Sequence, residues 1–233
     1  TSDKFISEEL SKAGKKSINL PLGEVKITRS VQTLDIIIKT CTSINLVSQS
    51  KERIFEEKKS EYTFRSINSI IKSINFAKNL MPNILFKIFV IDHNSSIDDL
   101  KIIEKKLTYS KISYEIINLN VAEFESKIQK INHKNEKVEN NMFATMSSIY
   151  KSLLLAKENC NDLVYFVEDD YIHQNEAISE MLFTYERISS QTKKELVICP
   201  TDYPFLYNKV ENTHIYLGNK RHWRTTEETL LTF

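Results

Sequence analysis

The chain has 233 residues, of which 41% are hydrophobic and 10% aromatic, enough for a sizeable packed core and contrary to global disorder. Its 32 basic and 31 acidic residues leave a net charge of +1, so binding driven by many cationic contacts to nucleic-acid phosphates is disfavoured. The glycines Gly14, Gly23 and Gly218 lie far apart, which excludes the glycine-rich phosphate loops of P-loop and dinucleotide-binding enzymes.

The cysteines and the apolar runs bear on the compartment of the protein. Cys41, Cys160 and Cys199 are odd in number and lack the short spacing of a metal site, so we expect reduced thiols and a cytoplasmic location. The longest apolar runs fall well short of the roughly 20 residues that span a bilayer, and no secretory signal is visible. We therefore expect no transmembrane segment, although peripheral association with the inner face of a membrane is compatible with this composition.

Strand and helix patterns alternate along the chain after a polar arm over residues 1–30. Apolar and β-branched runs predict strands at 34–40, 83–91, 114–119, 163–167 and 195–199. Helical spacing of apolar residues predicts helices around 64–77, 100–107, 142–156 and 178–188, and the third of these carries the stripe Met142, Met146, Ile149, Leu153 and Ala156. This alternation predicts an α/β domain with a mostly parallel central sheet and helices on both faces.

Polar or acidic residues follow four of the five predicted strands. They are Thr40, Cys41, Thr42 and Ser43 after the first, Asp92, His93, Asn94 and Ser95 after the second, Glu168, Asp169 and Asp170 after the fourth, and Thr201, Asp202 and Tyr203 after the fifth. Open parallel sheets bind ligands beyond the carboxyl ends of their strands. We therefore expect a crevice there that is lined with oxygen atoms.

The three consecutive carboxylates at Glu168, Asp169 and Asp170 are the most specific functional signal in that crevice. Carboxylates at the end of a buried strand repel one another, and a hard divalent cation such as Mg²⁺ or Mn²⁺ offsets this repulsion. The alternative is an exposed acidic turn that helps to start the next helix.

The order of these motifs resembles the nucleotide-sugar glycosyltransferases of the GT-A fold, particularly the bacterial enzymes similar to family 2. The resemblance covers roughly residues 33–205. It depends on Phe89-Val90-Ile91-Asp92-His93-Asn94-Ser95-Ser96, which corresponds to the family's Asp-containing turn, and on Val164-Tyr165-Phe166-Val167-Glu168-Asp169-Asp170-Tyr171, which corresponds to its acidic DxD motif. His93-Asn94 stands where the family has an acidic residue and glycine, and Asn140-Asn141 is what remains of the family's Gly- and Asn-bearing segment.

The resemblance implies a Rossmann-like nucleotide-diphospho-sugar transferase core over residues 31–205, after an arm at 1–30 and before an acceptor-side segment at 206–233. It implies that Thr40, Cys41, Thr42, Asp92 and Asn94 contact the nucleotide, that Glu168 and Asp169 contact ribose or metal, and that Asp170 holds Mn²⁺ or Mg²⁺ together with them. The implied donor is a nucleotide diphosphate sugar, a UDP-sugar before others, and the implied acceptor is a glycan, a lipid-linked molecule or a small molecule.

An inverting transfer, which the resemblance favours, also needs a carboxylate base. Glu228 or Glu227 is the first candidate and Asp202 the second. Thr225 to Glu228 also fits a capping box that needs no catalysis. Trp223 is either a stacking platform for a sugar or a core anchor, and His214 or His222 is either a further metal ligand or a structural histidine. The pattern stops at Phe233 in mid-course, which is compatible with a truncated C-terminal segment.

Two other functions remain open at the level of sequence. A sugar-phosphate nucleotidyltransferase shares the sheet and the metal chemistry, but it normally has a glycine-rich loop after the first strand, where this chain has Thr40-Cys41-Thr42-Ser43. A non-catalytic α/β module for nucleotide binding or scaffolding is the alternative from a different class.

Overall fold

A computed structural model describes residues 26–43, 58–130, 136–201 and 213–226. The described residues form two compact units. One comprises 32–43, 58–130 and 136–175, and the other combines 26–31 with 176–201 and 213–226. The boundary falls inside the range 31–205 that the sequence assigns to one core. Within the described ranges no helix has both the length and the apolar character needed to cross a bilayer.

The first unit is built on a four-stranded, all-parallel sheet. Its strands are β1 (Thr33–Thr40), β2 (Leu85–Asp92), β3 (Ser113–Asn118) and β4 (Leu163–Glu168), in the spatial order β3-β2-β1-β4. The helices between them are α1 (Lys59–Leu80), α2 (Ile97–Ser110) and α3 (Glu136–Asn159). A parallel α/β fold with four of the five predicted strands is therefore confirmed.

Side chains alternate between the two faces of the sheet along each strand. Residues on both faces are buried. On one face, Ile37 and Phe89 belong to a cluster with Phe143 and Leu155 of α3. Ile36 points the opposite way and is also fully buried. The helices α1 and α2 contact each other and supply further fully buried residues, namely Ile67, Ile70, Ile74, Ile103 and Leu107. We infer that this pair covers the second face.

The buried face of α3 differs from the predicted stripe. Met146 is 45% exposed and Leu153 is 49% exposed, whereas Phe143, Ser147 and Ser152 are buried. The serine hydroxyls donate to carbonyl oxygens of their own helix, Ser147 to Phe143 and Ser152 to Ser148, each over 2.8 Å. Because these bonds satisfy the hydroxyl groups, serine can occupy positions that a hydropathy pattern assigns to larger apolar residues.

The second unit contains α4 (Ala177–Thr192) and a short antiparallel hairpin of β5 (Ile215–Leu217) and β6 (His222–Arg224). The predicted apolar face of α4 is confirmed, since Ile178, Met181, Leu182, Tyr185 and Ile188 are all buried. The backbone N–H groups of Thr28 and Arg29 donate to Ser190 Oγ, which ties the segment before the sheet to α4.

The predicted strand at 195–199 was wrong. These residues have no regular structure, and Val197 is 88% exposed. A β-branched run favours extended backbone, but a strand also needs a hydrogen-bonded neighbour and a face to bury. The hairpin of β5 and β6 was not predicted, although the Gly218-Asn219 pair at its turn is a recognised hairpin signal.

Candidate functional site

The strand order places a topological switch point between β1 and β4. From β1 the chain continues to β2 and β3 on one side, and then returns to form β4 on the other side of β1. In open α/β sheets, ligands bind in the crevice outside the carboxyl ends of the strands at this point. Here those ends carry the residues after Thr40 and the acidic triplet that starts at Glu168.

Asp92 ties the end of β1 to the turn after β2. Its Oδ1 atom accepts hydrogen bonds from Thr40 Oγ1 over 2.7 Å and from Ser95 Oγ over 2.5 Å, and Oδ2 accepts from the backbone N–H of Ser95 over 3.2 Å. The residue is only 3% exposed. The resemblance implies that Asp92 faces a nucleobase, whereas its carboxylate is engaged within the protein.

The turn after Asp92 presents its neighbours to solvent. Asn94 is exposed and has a φ of 60°, a left-handed conformation that asparagine tolerates better than most residues. The glycosyltransferases that the sequence resembles have glycine at this position. Thr42 joins the turn through its own N–H, which donates to Ser95 Oγ over 3.0 Å, and through Oγ1, which accepts from the Ser96 N–H. The loop after β1 (residues 41–43) and the turn after β2 (residues 93–96) are therefore hydrogen-bonded to each other, and together they form one wall of the crevice.

Two lysines lie beside the acidic triplet. Lys39 is the register partner of Glu168, and its Nζ lies 3.5 Å from Glu168 Oε1. Lys59, the first residue of α1, lies with Nζ 2.5 Å from Asp169 Oδ1. Burial lowers the pKa of the Lys39 ammonium, while the three nearby carboxylates oppose that shift. Glu168 and Asp169 thus each have an ammonium neighbour.

Asp169 is buried and its second oxygen is also engaged. Oδ2 accepts from Thr63 Oγ1 over 2.6 Å and, more weakly, from the Cys41 N–H over 3.4 Å. One carboxylate therefore joins the tip of β4, the first turns of α1 and the loop after β1. Asp170, the next residue, is exposed.

A cation at the acidic triplet would need ligands from a bound molecule as well as from the protein. Among the described residues, no group of three or more histidine, cysteine, aspartate or glutamate side chains converges as a metal site. Mg²⁺ is commonly held by one or two carboxylates together with substrate phosphates. Glu168 and Asp170 are the two carboxylates that would be available for such a cation, since Asp169 is engaged by Lys59 and Thr63.

The segment after the triplet is anchored to the same unit. The His173 N–H donates to Ser69 Oγ over 2.9 Å, and His173 Nε2 shares a 2.8 Å hydrogen bond with the Tyr165 hydroxyl. Burial lowers the pKa of His173, which favours the neutral imidazole. These contacts fix the position of the chain beyond Asp170.

In the second unit, the Trp223 indole N–H donates to the buried carboxylate of Glu180 over 3.3 Å. This contact matches the interpretation of Trp223 as an anchor with a satisfied N–H group. His222 is exposed and His214 is half-buried. The three candidate bases, Asp202, Glu227 and Glu228, lie outside the described residues.

Sequence reasoning missed Lys39, Lys59 and Thr63 as parts of this site. Lys59 and Thr63 lie more than 100 residues before their partner Asp169, so no local motif connects them. Lys39 had one available signal, because it directly precedes Thr40 at the end of a strand that was expected to open into the same crevice as the acidic triplet. No protein-family model, curated protein or solved structure matches the chain. The function must therefore be inferred from the site itself.

Proposed function

We propose that this protein is a glycosyltransferase of the GT-A type, which moves a sugar from a nucleoside diphosphate donor to an acceptor hydroxyl. The observation that carries the proposal is the acidic tip of β4 beside the end of β1 at the switch point of the sheet. A nucleoside diphosphate has a polar base, a ribose and two phosphates, and such a ligand suits a crevice lined with hydroxyl, amide and carboxylate groups.

The nucleoside side of the crevice is the wall formed by the loops after β1 and β2. Thr42 and Asn94 offer polar side chains there, and the half-buried Cys41 connects the wall to the acidic tip through its N–H group. Asp92 is engaged by Thr40 and Ser95, so its role in this proposal is to hold the wall in shape. Groups fixed in this way bind a ligand without a large loss of conformational entropy.

The diphosphate side of the crevice is the tip of β4. Asp170 and Glu168 would hold Mn²⁺ or Mg²⁺ there, together with phosphate oxygens of the donor. When bound, the cation supplies Lewis-acid stabilisation of the departing diphosphate. Of the three carboxylates, Glu168 and Asp169 are paired with Lys39 and Lys59, which leaves the exposed Asp170 as the one most accessible to a cation.

The acceptor hydroxyl needs a carboxylate base, for which Glu228, Glu227 and Asp202 are the candidates. Glu228→Gln, Glu227→Gln and Asp202→Asn should be compared at saturating donor. The variant that lacks the base should retain nucleotide binding while transfer and donor hydrolysis fall by about 10²-fold or more.

Thermal unfolding with nucleotides tests the proposal directly. UDP, GDP and CMP are each added with Mn²⁺ and then with excess chelator. The proposal predicts stabilisation by at least one nucleotide that chelation removes, because a ligand stabilises the state to which it binds. Asp170→Asn should abolish the chelator-sensitive shift, whereas Asp98→Asn, which removes an exposed carboxylate of α2, should retain it. If no nucleotide shifts the wild-type protein, the proposal fails.

A non-catalytic nucleotide-binding module is the second candidate. It is favoured by the ion pairs of Glu168 and Asp169, because they already satisfy two of the acidic groups without a ligand. Slow hydrolysis of a sugar nucleotide in the absence of acceptor, lost in Asp170→Asn, separates the two functions. Binding without any hydrolysis or transfer would favour the module.

A further inference from the structure

Lys59 and Asp169 form a buried ion pair within the acidic tip. Their side chains are only 11% and 9% exposed. Removing two charges from water has a large free-energy cost, so a buried pair adds little net stability compared with well-packed apolar residues. Loss of either partner alone is harmful, because the other charge is then left buried and unpaired. The main effect of the pair is therefore to hold Lys59 and Asp169 in one arrangement, whereas its net contribution to the free energy of unfolding is small.

The arrangement that it fixes involves three elements. Lys59 begins α1, Asp169 follows β4, and the Asp169 carboxylate also accepts hydrogen bonds from Thr63 of α1 and from the N–H of Cys41 after β1. Cys41 belongs to the wall that would contact the nucleoside. The position of this wall relative to the acidic tip therefore depends on where Asp169 is held.

The pair also separates the roles of two adjacent carboxylates. The oxygens of Asp169 face an ammonium, a hydroxyl and an amide, all of them donors that compete with a cation. Asp170 is exposed. A cation that approaches the tip would therefore meet Asp170 first, while Asp169 is withheld.

We propose that Lys59 is a positioning residue of the donor site, which withholds Asp169 from the cation and keeps it as the link between α1, β4 and the loop at Cys41. The part concerning nucleotide binding rests on the proposed function. The part concerning Asp169 depends only on the ion pair. Removal of Lys59 should therefore have two effects of opposite sign.

Lys59→Met is the test variant. Mn²⁺ binding is measured from the electron paramagnetic resonance signal of free Mn²⁺, and UDP binding is measured by calorimetry. GDP and CMP replace UDP if they are the nucleotides that shift the wild-type protein. Without nucleotide, the release of Asp169 beside Asp170 should tighten Mn²⁺ binding about tenfold, because cation affinity rises with the number of charged ligands. At saturating Mn²⁺, nucleotide binding should weaken about tenfold, because the loop at Cys41 is no longer held in a fixed position before the nucleotide binds.

Two further variants serve as controls. Lys101→Met removes an exposed lysine of α2 and should change neither affinity. Lys59→Met combined with Asp169→Asn removes both charges, so nucleotide-free Mn²⁺ binding should stay at the wild-type level. A gain of Mn²⁺ affinity in this double variant would overturn the proposal, as would a Lys59→Met protein in which both affinities fall together or neither changes.

If Lys59→Met does not fold, Thr63→Val loosens the same carboxylate and keeps the ammonium in place. Nucleotide binding should then weaken at unchanged Mn²⁺ affinity, and unaltered nucleotide binding would overturn the proposal. A wild-type protein that binds no nucleotide contradicts the proposed function alone, since the Mn²⁺ measurements still decide whether Lys59 withholds Asp169.

Discussion

The hydroxyl of Thr40 donates to the carboxylate of Asp92 over 2.7 Å, across the register pair that ends β1 and β2. Both residues are buried, at 3% exposure each. The bond couples the last residues of two neighbouring strands, each of which leads into a loop of the candidate site. The position of the loop at Cys41 and Thr42 therefore depends on a contact that lies beneath it.

Replacement of this hydroxyl tests the coupling. Thr40→Val keeps the shape of the side chain but leaves Asp92 Oδ1 with one donor fewer, so we expect a loss of about 1–2 kcal/mol in the free energy of unfolding. Nucleotide-induced stabilisation should also shrink. Both are measured by urea denaturation with and without UDP and Mn²⁺.

Thr33, at the other end of β1, provides the matched control. Its Oγ1 atom is buried and has no hydrogen-bond partner among the described residues. Thr33→Val should therefore be neutral or slightly stabilising, because the substitution removes an unpaired polar atom without breaking a bond. Equal losses in the two variants would show that the Thr40–Asp92 bond has no special contribution.

Asp35 gives the first unit a pH-dependent stability. Burial raises the pKa of this carboxyl, although hydrogen bonds from Cys160 and the Asn161 backbone and the charge of Lys87 partly offset the rise. A raised pKa means that the folded state binds the proton more tightly than the unfolded state does. The resulting stability is fully present below the unfolded pKa and is lost as the pH rises through the folded pKa.

Asp35→Asn should remove this loss. We expect the variant to gain stability relative to the wild type as the pH increases from about 3.5 to 7, by about 1.4 kcal/mol for each unit of pKa shift. Denaturation at a series of pH values measures the difference. A stability difference between Asp35→Asn and the wild type that stays constant with pH would contradict the expectation.

Cys160 should be unreactive in the folded protein. Burial and the neighbouring Asp35 carboxylate raise the pKa of its thiol to about 12. Because the thiolate is the reactive form, alkylation at pH 8 should be about a thousandfold slower than that of an ordinary cysteine. The measurement uses iodoacetamide on a protein that carries Cys41→Ser and Cys199→Ser.

Two comparisons make the thiol experiment specific. Unfolding in urea should restore the ordinary alkylation rate, since burial and the contact with Asp35 are both lost. Asp35→Asn in the folded protein should raise the rate, because it removes a negative charge next to the thiol. Rapid alkylation of the folded parent protein would show that Cys160 is not protected in this way.

The sheet and its polar strand ends were accessible from sequence because their signals are local. β1 is rich in β-branched residues, and Asp92 is the last residue of β2. The buried face of α3 was not accessible in the same way, since Ser147 and Ser152 look polar in a pattern but are satisfied by their own helix. Hydropathy alone cannot distinguish such serines from exposed ones.

The charge balance of the site was the larger omission. Repulsion within the triplet was expected to require a cation, yet Lys39 and Lys59 already offset two of the three carboxylates. Such pairs depend on which strands and helices become neighbours, and this information is absent from any short segment. The same limit explains the failed strand at 195–199, whose propensity is local but whose formation requires a partner.

Glu180 should determine the conformation of the β5–β6 hairpin. Its buried carboxylate accepts hydrogen bonds from the N–H groups of Asn219, Lys220 and Arg221 over 2.8–3.1 Å, in addition to the Trp223 indole. Glycine at the turn permits this approach, because a Cβ atom at Gly218 would lie 2.3 Å from Glu180 Oε1.

Glu180→Gln removes the charge and turns an amide donor toward backbone donors, so the hairpin should be destabilised by about 2 kcal/mol or more. Trp223 is the single tryptophan of the chain, and its fluorescence therefore reports on this hairpin directly. We expect a red-shifted emission and an earlier unfolding transition by fluorescence in Glu180→Gln. Glu176→Gln removes an exposed partner of Lys220, 3.8 Å away, and should leave the emission unchanged. If both variants retain the wild-type emission and transition, the hairpin is held by its packing and not by the carboxylate.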